Sequence, residues 1–198
     1  MKGASQRPVV RQSKSGAFRR SSTAVEWQNL PVVSLGDVSV RRAVATDAEA
    51  IALAHADSIR SIGPDFYSSE VVQGWGSGLT PDVYARAMEG GEAFFIATGE
   101  LEGKTVVLGF ATHRVDDDQD GASVYVRGCV TRRGIGTALL RHAEDHARSH
   151  GAKTIQIQAS LAGVEFYKAN GFEELGRGEA RLTCGSAMPC VFMRKTLS

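Results

Sequence analysis

Two glycines, Gly134 and Gly136, separate a short apolar run from the most strongly helical segment of the chain. A strand that turns straight into a helix leaves the N–H groups of the first helical turn without partners. Together with the positive end of the helix dipole, those groups favour a bound anion. Glycine also lets a backbone approach a phosphate without a Cβ in the way. Because ordinary turns use the same pattern, the junction predicts a strand, a turn and a helix, with anion binding as one use of the turn.

The hydrophobic pattern around this junction predicts a mixed α/β fold. Thr46 followed by Glu49 matches a capping box at the start of a helix, which Gly63 ends. Further helices are expected at residues 69–75, from residue 80, from 136 to 151, and through 166–168. The expected strands are 38–42, 93–97, 106–111, 123–126, 155–159, 173–181 and 190–197. We therefore expect a mixed sheet with helices on its faces.

Residues 1–37 differ in composition from the rest of the chain. Six of the first 25 residues are basic and none is acidic, and Ser, Arg and Gly recur there without a period. Such a segment cannot bury enough apolar surface to offset the entropy of ordering, so we expect a flexible basic arm. Its composition also resembles an organelle transit peptide or the remnant of an upstream start. The folded domain is expected to span residues 38–198.

The charge balance argues against nucleic acid and membranes as partners. The formal net charge is +1, and no apolar run reaches the roughly 20 residues that span a bilayer. The arm contains only Phe18 before Trp27, which is too few aromatic residues for a nucleic-acid-binding segment. The cysteines form neither a disulfide framework nor a zinc motif, which indicates a reducing, cytoplasmic location. They are Cys129, Cys184 and Cys190.

Two segments resemble motifs of the GCN5-related N-acetyltransferases, the GNAT family. Residues 131–136 resemble its motif Gln/Arg-x-x-Gly-x-Gly/Ala, although Thr131 stands where Gln or Arg is usual. Residues 166–172, Phe-Tyr-Lys-Ala-Asn-Gly-Phe, resemble its hydrophobic-Tyr-x-x-x-Gly-Phe signature. One helix and one strand separate the two motifs, as in the family. Residues 109–111 and 192–197 resemble its third and closing strands, so the resemblance covers residues 38–198.

The resemblance implies a mostly antiparallel sheet with a V-shaped splay between two parallel strands, which holds acetyl-CoA. Here those strands would be 123–126 and 155–159. The backbone around 126–129 would bind the pantetheine arm, and the loop 131–137 would bind the pyrophosphate. Ser160 stands where the family often has Asn. The implied cofactor-binding residues are Val126, Gly128, Thr131, Arg132, Arg133, Gly134, Ile135, Gly136, Thr137 and Ser160.

The implied reaction is direct attack of an amine on the thioester in a ternary complex. Tyr167 matches the family's phenol that protonates the leaving thiolate, with packing against Phe166 and Phe172 as the alternative role. Many family members carry a basic Glu on the strand that corresponds to 123–126, which contains no acid here. His113, on the neighbouring strand, is the favoured base. Further candidates are His55, Asp57 and Tyr67.

The acceptor is expected over the early helices, where Tyr67 and Trp75 could wall a pocket or pack as core aromatics. Cys129 has no clear His partner, which argues against an acyl-cysteine. The acidic run 116–120 is expected to form a solvated hairpin loop before the strand at 123–126. It lacks the spacing of a calcium loop, so no metal site is predicted. The predicted function is acetyl transfer to a small-molecule amine or a protein amino group, by a monomer or a homodimer. The alternative is a GNAT-like module that binds acyl-CoA as a sensor or interaction partner without transfer.

Overall fold

A seven-stranded sheet runs through the computed structural model, which describes residues 38–116 and 119–198. Its strands lie side by side in the order β1-β2-β3-β4-β5-β7-β6. Every neighbouring pair is antiparallel except β4 and β5, which are parallel. The strands are Ser39–Arg42 (β1), Ala93–Leu101 (β2), Lys104–Asp116 (β3), Gln119–Val126 (β4), Thr154–Ser160 (β5), Glu173–Arg181 (β6) and Ala187–Thr196 (β7). The predicted mixed, mostly antiparallel sheet is confirmed.

The parallel strands β4 and β5 meet at one end and separate toward the other. Within the described part of the chain, their register joins Gly121 to Gln156 and no other pair. Beyond that point the two strands continue to Val126 and Ser160 without pairing to each other. We call the space between these two diverging segments the β4–β5 gap. The predicted splay between parallel strands is confirmed.

Helices cover both faces of the sheet, as predicted. Strand side chains alternate between the faces, so Phe94 and Phe110 pack with α1 (Ala48–Ile62) and α3 (Pro81–Glu89), whereas Phe95 and Ala111 pack with α4 (Ile135–Ser149). Tyr167 of α5 packs over β5 and β7 in a third cluster. The helices are Ala48–Ile62 (α1), Ser69–Trp75 (α2), Pro81–Glu89 (α3), Ile135–Ser149 (α4) and Val164–Ala169 (α5).

Several predicted boundaries differ from the structure. Strands β2, β3 and β7 are longer than predicted, and the starts of the first helix and of β4 are shifted. The first helix begins at Ala48 because Thr46 lies inside a short 3-10 turn, where the Asp47 carboxylate accepts the Val44 N–H at 2.9 Å. Strand β4 begins at Gln119 rather than at residue 123, because its ladder with β3 extends to the pair Asp116–Gln119. The strand therefore contains an acidic residue, Asp120, that the sequence had assigned to a solvated loop.

The predicted flexible arm, residues 1–37, lies outside the described residues, and so do residues 117–118 of the acidic run. In the two stretches that the structure does describe, none of the helices combines the length and the apolar character needed to cross a membrane.

Candidate active site

The loop after β4 delivers the chain directly to the N terminus of α4. A 3-10 turn at Gly128–Val130 follows the strand, and α4 starts at Ile135 with Gly134 as its N-cap. Gly134 has a φ of 79°, in the left-handed region that favours glycine, and nothing lies within 4 Å of where its Cβ would be. Conformation rather than space therefore requires glycine here. The first-turn amides of α4 lack intrahelical acceptors and point out of this segment, residues 127–136, which we call the glycine loop.

Gly136 serves a different purpose from Gly134. A Cβ on Gly136 would lie 3.1 Å from the ring of Phe166, which is tighter than an ordinary contact. Glycine at this position lets α5 approach the first turn of α4 closely. The two glycines of the predicted motif thus have separate structural roles, one setting the turn and the other the helix spacing.

Helix α1 supports the glycine loop through contacts of Asp57 with Gly128 and Arg127. The Gly128 N–H donates to Asp57 Oδ1 at 3.0 Å, and Arg127 Nη1 lies 3.7 Å from Asp57 Oδ2. A Cβ on Gly128 would collide with Ser61, at 2.3 Å, so only glycine permits this close approach to α1. Asp57, predicted as one of several candidate bases, instead supports the loop. Nothing local in the sequence links it to a residue so far along the chain.

The side chains of the loop differ in how they face solvent. The Thr131 hydroxyl donates to the Gly128 carbonyl at 3.0 Å, so it closes the 3-10 turn. Arg132 and Arg133 are exposed, and Arg132 has a positive φ of 62°. Ile135 is buried in the core, so its contribution to the loop is its backbone. Val126, Thr137 and Ser160 are half-buried; Val126 and Ser160 are the last residues of β4 and β5, and Thr137 lies in the first turn of α4.

Tyr167 places a phenol between α5 and β4. The side chain is 6% exposed and packs against the rings of Phe166 and Phe172 at 5.0 and 5.3 Å. Burial raises the pKa of Tyr167 above its ordinary value, while the backbone N–H of Val124 on β4 acts in the opposite direction. The hydroxyl is therefore protonated at neutral pH and lies close to the β4 backbone. Both roles weighed from the sequence, core packing and proton donation, are compatible with this position.

His113 lies on the face of the sheet that α4 covers and is 3% exposed. Its Nε2 is 2.7 Å from Asp120 Oδ1, and its Nδ1 is 2.9 Å from His146 Nδ1. Both ring nitrogens are engaged, so neither is free in this arrangement to take a proton from an amine. The role of His113 as a base stays a prediction that requires one of these bonds to break.

Tyr67 and Trp75 do come together, on the α1 face at the ends of β5 and β7. Their rings are 5.8 Å apart, edge to face. The Tyr67 hydroxyl donates to the Pro189 carbonyl at 2.9 Å and accepts the Leu161 N–H at 2.7 Å. Its hydrogen-bonding groups are thus used within the protein, so the ring is the part of Tyr67 that can line a pocket.

Tyr125 is a site residue that sequence reasoning missed. It points from β4 to the α1 face, where its ring centre lies 3.7 Å from that of His55 at an angle of 47°, and 6.2 Å from that of Trp75. Burial raises the pKa of its hydroxyl. Strand alternation could have revealed it, because Tyr125 faces opposite to its neighbours Val124 and Val126. It extends the aromatic wall of Tyr67 and Trp75 to the edge of the β4–β5 gap.

His55 carries the only buried side-chain nitrogen or oxygen without a hydrogen-bond partner within the described residues, its Nε2. Its Nδ1 lies 2.8 Å from the Tyr84 hydroxyl. Burial lowers the pKa of His55 to about 3, so the ring is neutral at physiological pH and is a weak base.

A groove of about 540 Å³ opens between α1 and α2 on the same side. Its floor includes Ile59, Val72 and the ring of Tyr67, and Arg60 is the charged residue among those that line it. In the described stretches, no group of three or more His, Cys, Asp or Glu side chains has an arrangement that could hold a metal ion.

Comparison with known proteins gives matches of two kinds. Residues 64–197 match the acetyltransferase (GNAT) domain family. No curated protein matches the chain. Among solved structures, the GCN5-related N-acetyltransferase from Rhodopseudomonas palustris is 26% identical, with a TM-score of 0.69 over 82% of this chain and 98% of that chain.

Two further structures resemble the chain and hold a coenzyme. The PaiA N-acetyltransferase from Thermoplasma acidophilum, in complex with coenzyme A, is 18% identical, with a TM-score of 0.63 over 81% of this chain and 99% of that chain. The GNAT superfamily phosphinothricin acetyltransferase from Sinorhizobium meliloti, in complex with acetyl-CoA, is 20% identical, with a TM-score of 0.58 over 81% and 89%. At these identities the likeness shows a shared fold.

Proposed function

The chain belongs to the acetyltransferase (GNAT) domain family, and from that premise we propose that it is an N-acetyltransferase that moves an acetyl group from acetyl-CoA to a primary amine. The observation that carries the proposal is the β4–β5 gap, which opens from a single paired position and ends at the glycine loop. Residues 38–198 would form the catalytic domain. The acceptor would be a small-molecule amine or a protein amino group.

The residues around the gap suit acetyl-CoA as co-substrate. The backbone of Val126 would hold the pantetheine amides in the way that a neighbouring strand does, whereas the Gly128 N–H and carbonyl are already bonded to Asp57 and Thr131. The first-turn amides of α4, from Gly134 to Thr137, would face the pyrophosphate, since free N–H groups and the helix dipole both favour an anion. Arg132 and Arg133 would add charge for the phosphates, and Ser160 would contact the arm from the end of β5.

The chemistry requires a proton to leave the amine and a proton to reach the thiolate. We assign the second step to Tyr167, because its hydroxyl is buried, protonated and beside the β4 backbone. For the proton of the amine the sequence predicts His113, but both of its ring nitrogens are already hydrogen-bonded, so we assign no base to this step. The amine would approach from the α1 face, past the wall of Tyr67, Trp75 and Tyr125.

Calorimetric titration with acetyl-CoA and CoA tests the proposal at its first step. We expect micromolar binding by the parent protein and at least a tenfold weaker affinity in Gly134→Glu, whose carboxylate would lie where the pyrophosphate binds. Gly91→Glu is the matched control, because Gly91 also has a positive φ and open space around its Cβ position. It should bind as the parent does.

Absence of binding by the folded parent would refute the proposal, and so would equal affinities of Gly134→Glu and the parent. Binding without turnover of any amine in a broad screen would favour the alternative, a module that senses acyl-CoA.

A further inference from the structure

Four side chains from four elements form an unbroken hydrogen-bonded chain beneath α4. Arg42 Nη1 of β1 is 2.9 Å from His146 Nε2 of α4, and His146 Nδ1 is 2.9 Å from His113 Nδ1 of β3. His113 Nε2 is 2.7 Å from Asp120 Oδ1 of β4. We call this series the Arg42–Asp120 chain. It starts at an exposed cation, passes through a buried imidazole and ends at a carboxylate that is 20% exposed.

The chemistry of its two ends determines where every proton lies. A guanidinium can only donate, so His146 Nε2 must accept, and the proton of the neutral ring is on Nδ1. His113 Nδ1 must then accept from His146, which leaves the His113 proton on Nε2, where it is donated to the Asp120 carboxylate. The direction of all three bonds is thus set, and both imidazoles are neutral.

Neither His146 nor His113 can bind a second proton without breaking a hydrogen bond of the Arg42–Asp120 chain. On His146 Nε2 it would face the guanidinium of Arg42, and on His113 Nδ1 it would face the N–H of His146. The other groups near His146 are the ring of Phe95 from β2, at 5.6 Å, and the ring of His150 from α4, at 4.1 Å. Burial is the main cause that lowers the pKa of His146 to about 4, so the chain is intact at neutral pH.

The chain joins the two parts of the fold that shape the proposed site. Asp120 directly precedes Gly121, the residue at which β4 and β5 meet before they diverge. His146 belongs to the helix whose N terminus is the glycine loop. A link between them sets the position of α4 relative to the closed end of the gap.

We propose that His113 and His146 are positioning residues, which hold α4 and its glycine loop against the closed end of the β4–β5 gap, and that His113 does not remove the proton of the amine. The inference rests on the proposed function, and it gives His113 a different role from the base that the sequence predicts. It follows from the bonds at both His113 nitrogens, because a ring that accepts at one nitrogen and donates at the other has no lone pair left for a substrate.

Two variants of His113 separate positioning from base catalysis. In His113→Gln, the amide oxygen can accept from His146 and the amide N–H can donate to Asp120, but the side chain cannot act as a base. We expect a KM for acetyl-CoA within twofold of the parent value, and an unchanged dependence of kcat on pH. In His113→Leu the chain is broken, and we expect at least a fivefold weaker CoA affinity in calorimetry.

Changes at His146 and Arg42 test the Arg42–Asp120 chain while leaving its buried residue, His113, unaltered. His146→Gln should preserve CoA affinity, because its amide again accepts and donates at the two ends, whereas His146→Leu should weaken it. Arg42→Met removes the exposed donor but leaves Asp120 as the acceptor at the other end, so ¹⁵N spectra of the imidazoles should still show the Nδ1–H form of His146. Thermal unfolding of each variant establishes that the protein measured is folded.

A hundredfold loss of kcat in His113→Gln with unchanged CoA affinity would identify His113 as the base and overturn the inference. A folded His113→Leu that binds CoA as the parent does would also overturn it, as would an Nε2–H form of His146 in the parent. If the folded parent binds no CoA, the proposed function fails. The ¹⁵N spectra then still decide whether the hydrogen bonds of the Arg42–Asp120 chain exist as described.

Discussion

The Tyr167 hydroxyl lies among apolar side chains, with the β4 backbone as its polar neighbour. A phenol whose pKa is raised by burial stays protonated at neutral pH, which is the state that a donor to a leaving thiolate requires. Tyr167→Phe keeps the ring and removes the proton. We expect a kcat lower by about 10²-fold with little change in acetyl-CoA affinity, measured by thiol release and calorimetry.

Tyr84→Phe is the control for that experiment. Burial also raises the pKa of Tyr84, but its hydroxyl bonds to His55 in the core between α1 and α3. Its removal should lower stability while leaving kcat near the parent value. Equal losses of kcat in the two variants would mean that Tyr167 acts through packing alone.

At the scale of the element, α1 is more than a cover for the sheet, because Asp57 holds the turn that begins the glycine loop. Asp57→Ala leaves the half-buried Gly128 N–H without its acceptor, which should cost about 1–3 kcal/mol of stability. We also expect weaker CoA binding, since the loop loses its support. Urea denaturation and calorimetry measure the two effects.

Asp57→Asn separates the hydrogen bond from the charge. The amide oxygen can still accept from Gly128, but the attraction to Arg127 is lost, so the losses should be smaller than in Asp57→Ala. If both variants unfold and bind as the parent does, the loop is held by its own 3-10 turn and not by α1.

At the scale of the whole molecule, His55 makes stability depend on pH. Its pKa is about 3 in the folded protein and 6.5 when solvated, so the unfolded chain binds the extra proton first. The contribution is complete above pH 6.5 and is lost as the pH falls toward 3, at about 1.4 kcal/mol per pH unit for a single group. Urea denaturation between pH 7 and 4 should therefore show a falling free energy of unfolding.

His55→Gln tests that assignment, because the amide can keep the bond to Tyr84 and does not titrate. Its free energy of unfolding should fall less steeply with acid than that of the parent. His142→Gln, at an exposed position on α4, is the control and should retain the parent slope. A parent slope in His55→Gln would assign the acid sensitivity to other groups.

The sequence predicts the elements of this molecule better than the contacts between them. Hydrophobic period and turn residues locate α2 and β6 at their observed bounds, and the two motifs locate the glycine loop and Tyr167. The Asp57–Gly128 bond and the Arg42–Asp120 chain join residues far apart in the sequence. Local sequence patterns do not predict which distant residues become hydrogen-bond partners. Asp120 was misplaced for a related reason, since an acidic run has the same composition in a solvated turn and at the end of a strand.

The β4–β5 gap leaves two edges inside the sheet, each with peptide groups that have no strand opposite them in the described structure. Under the proposed function, the coenzyme lies between these two edges and bonds to their peptide groups, so it stabilises the fold as well as reacting. Ligand at 100 times its dissociation constant adds about 2.7 kcal/mol to the stability of a protein that binds it only when folded. The free energy of unfolding of this protein would then depend on the concentration of coenzyme around it.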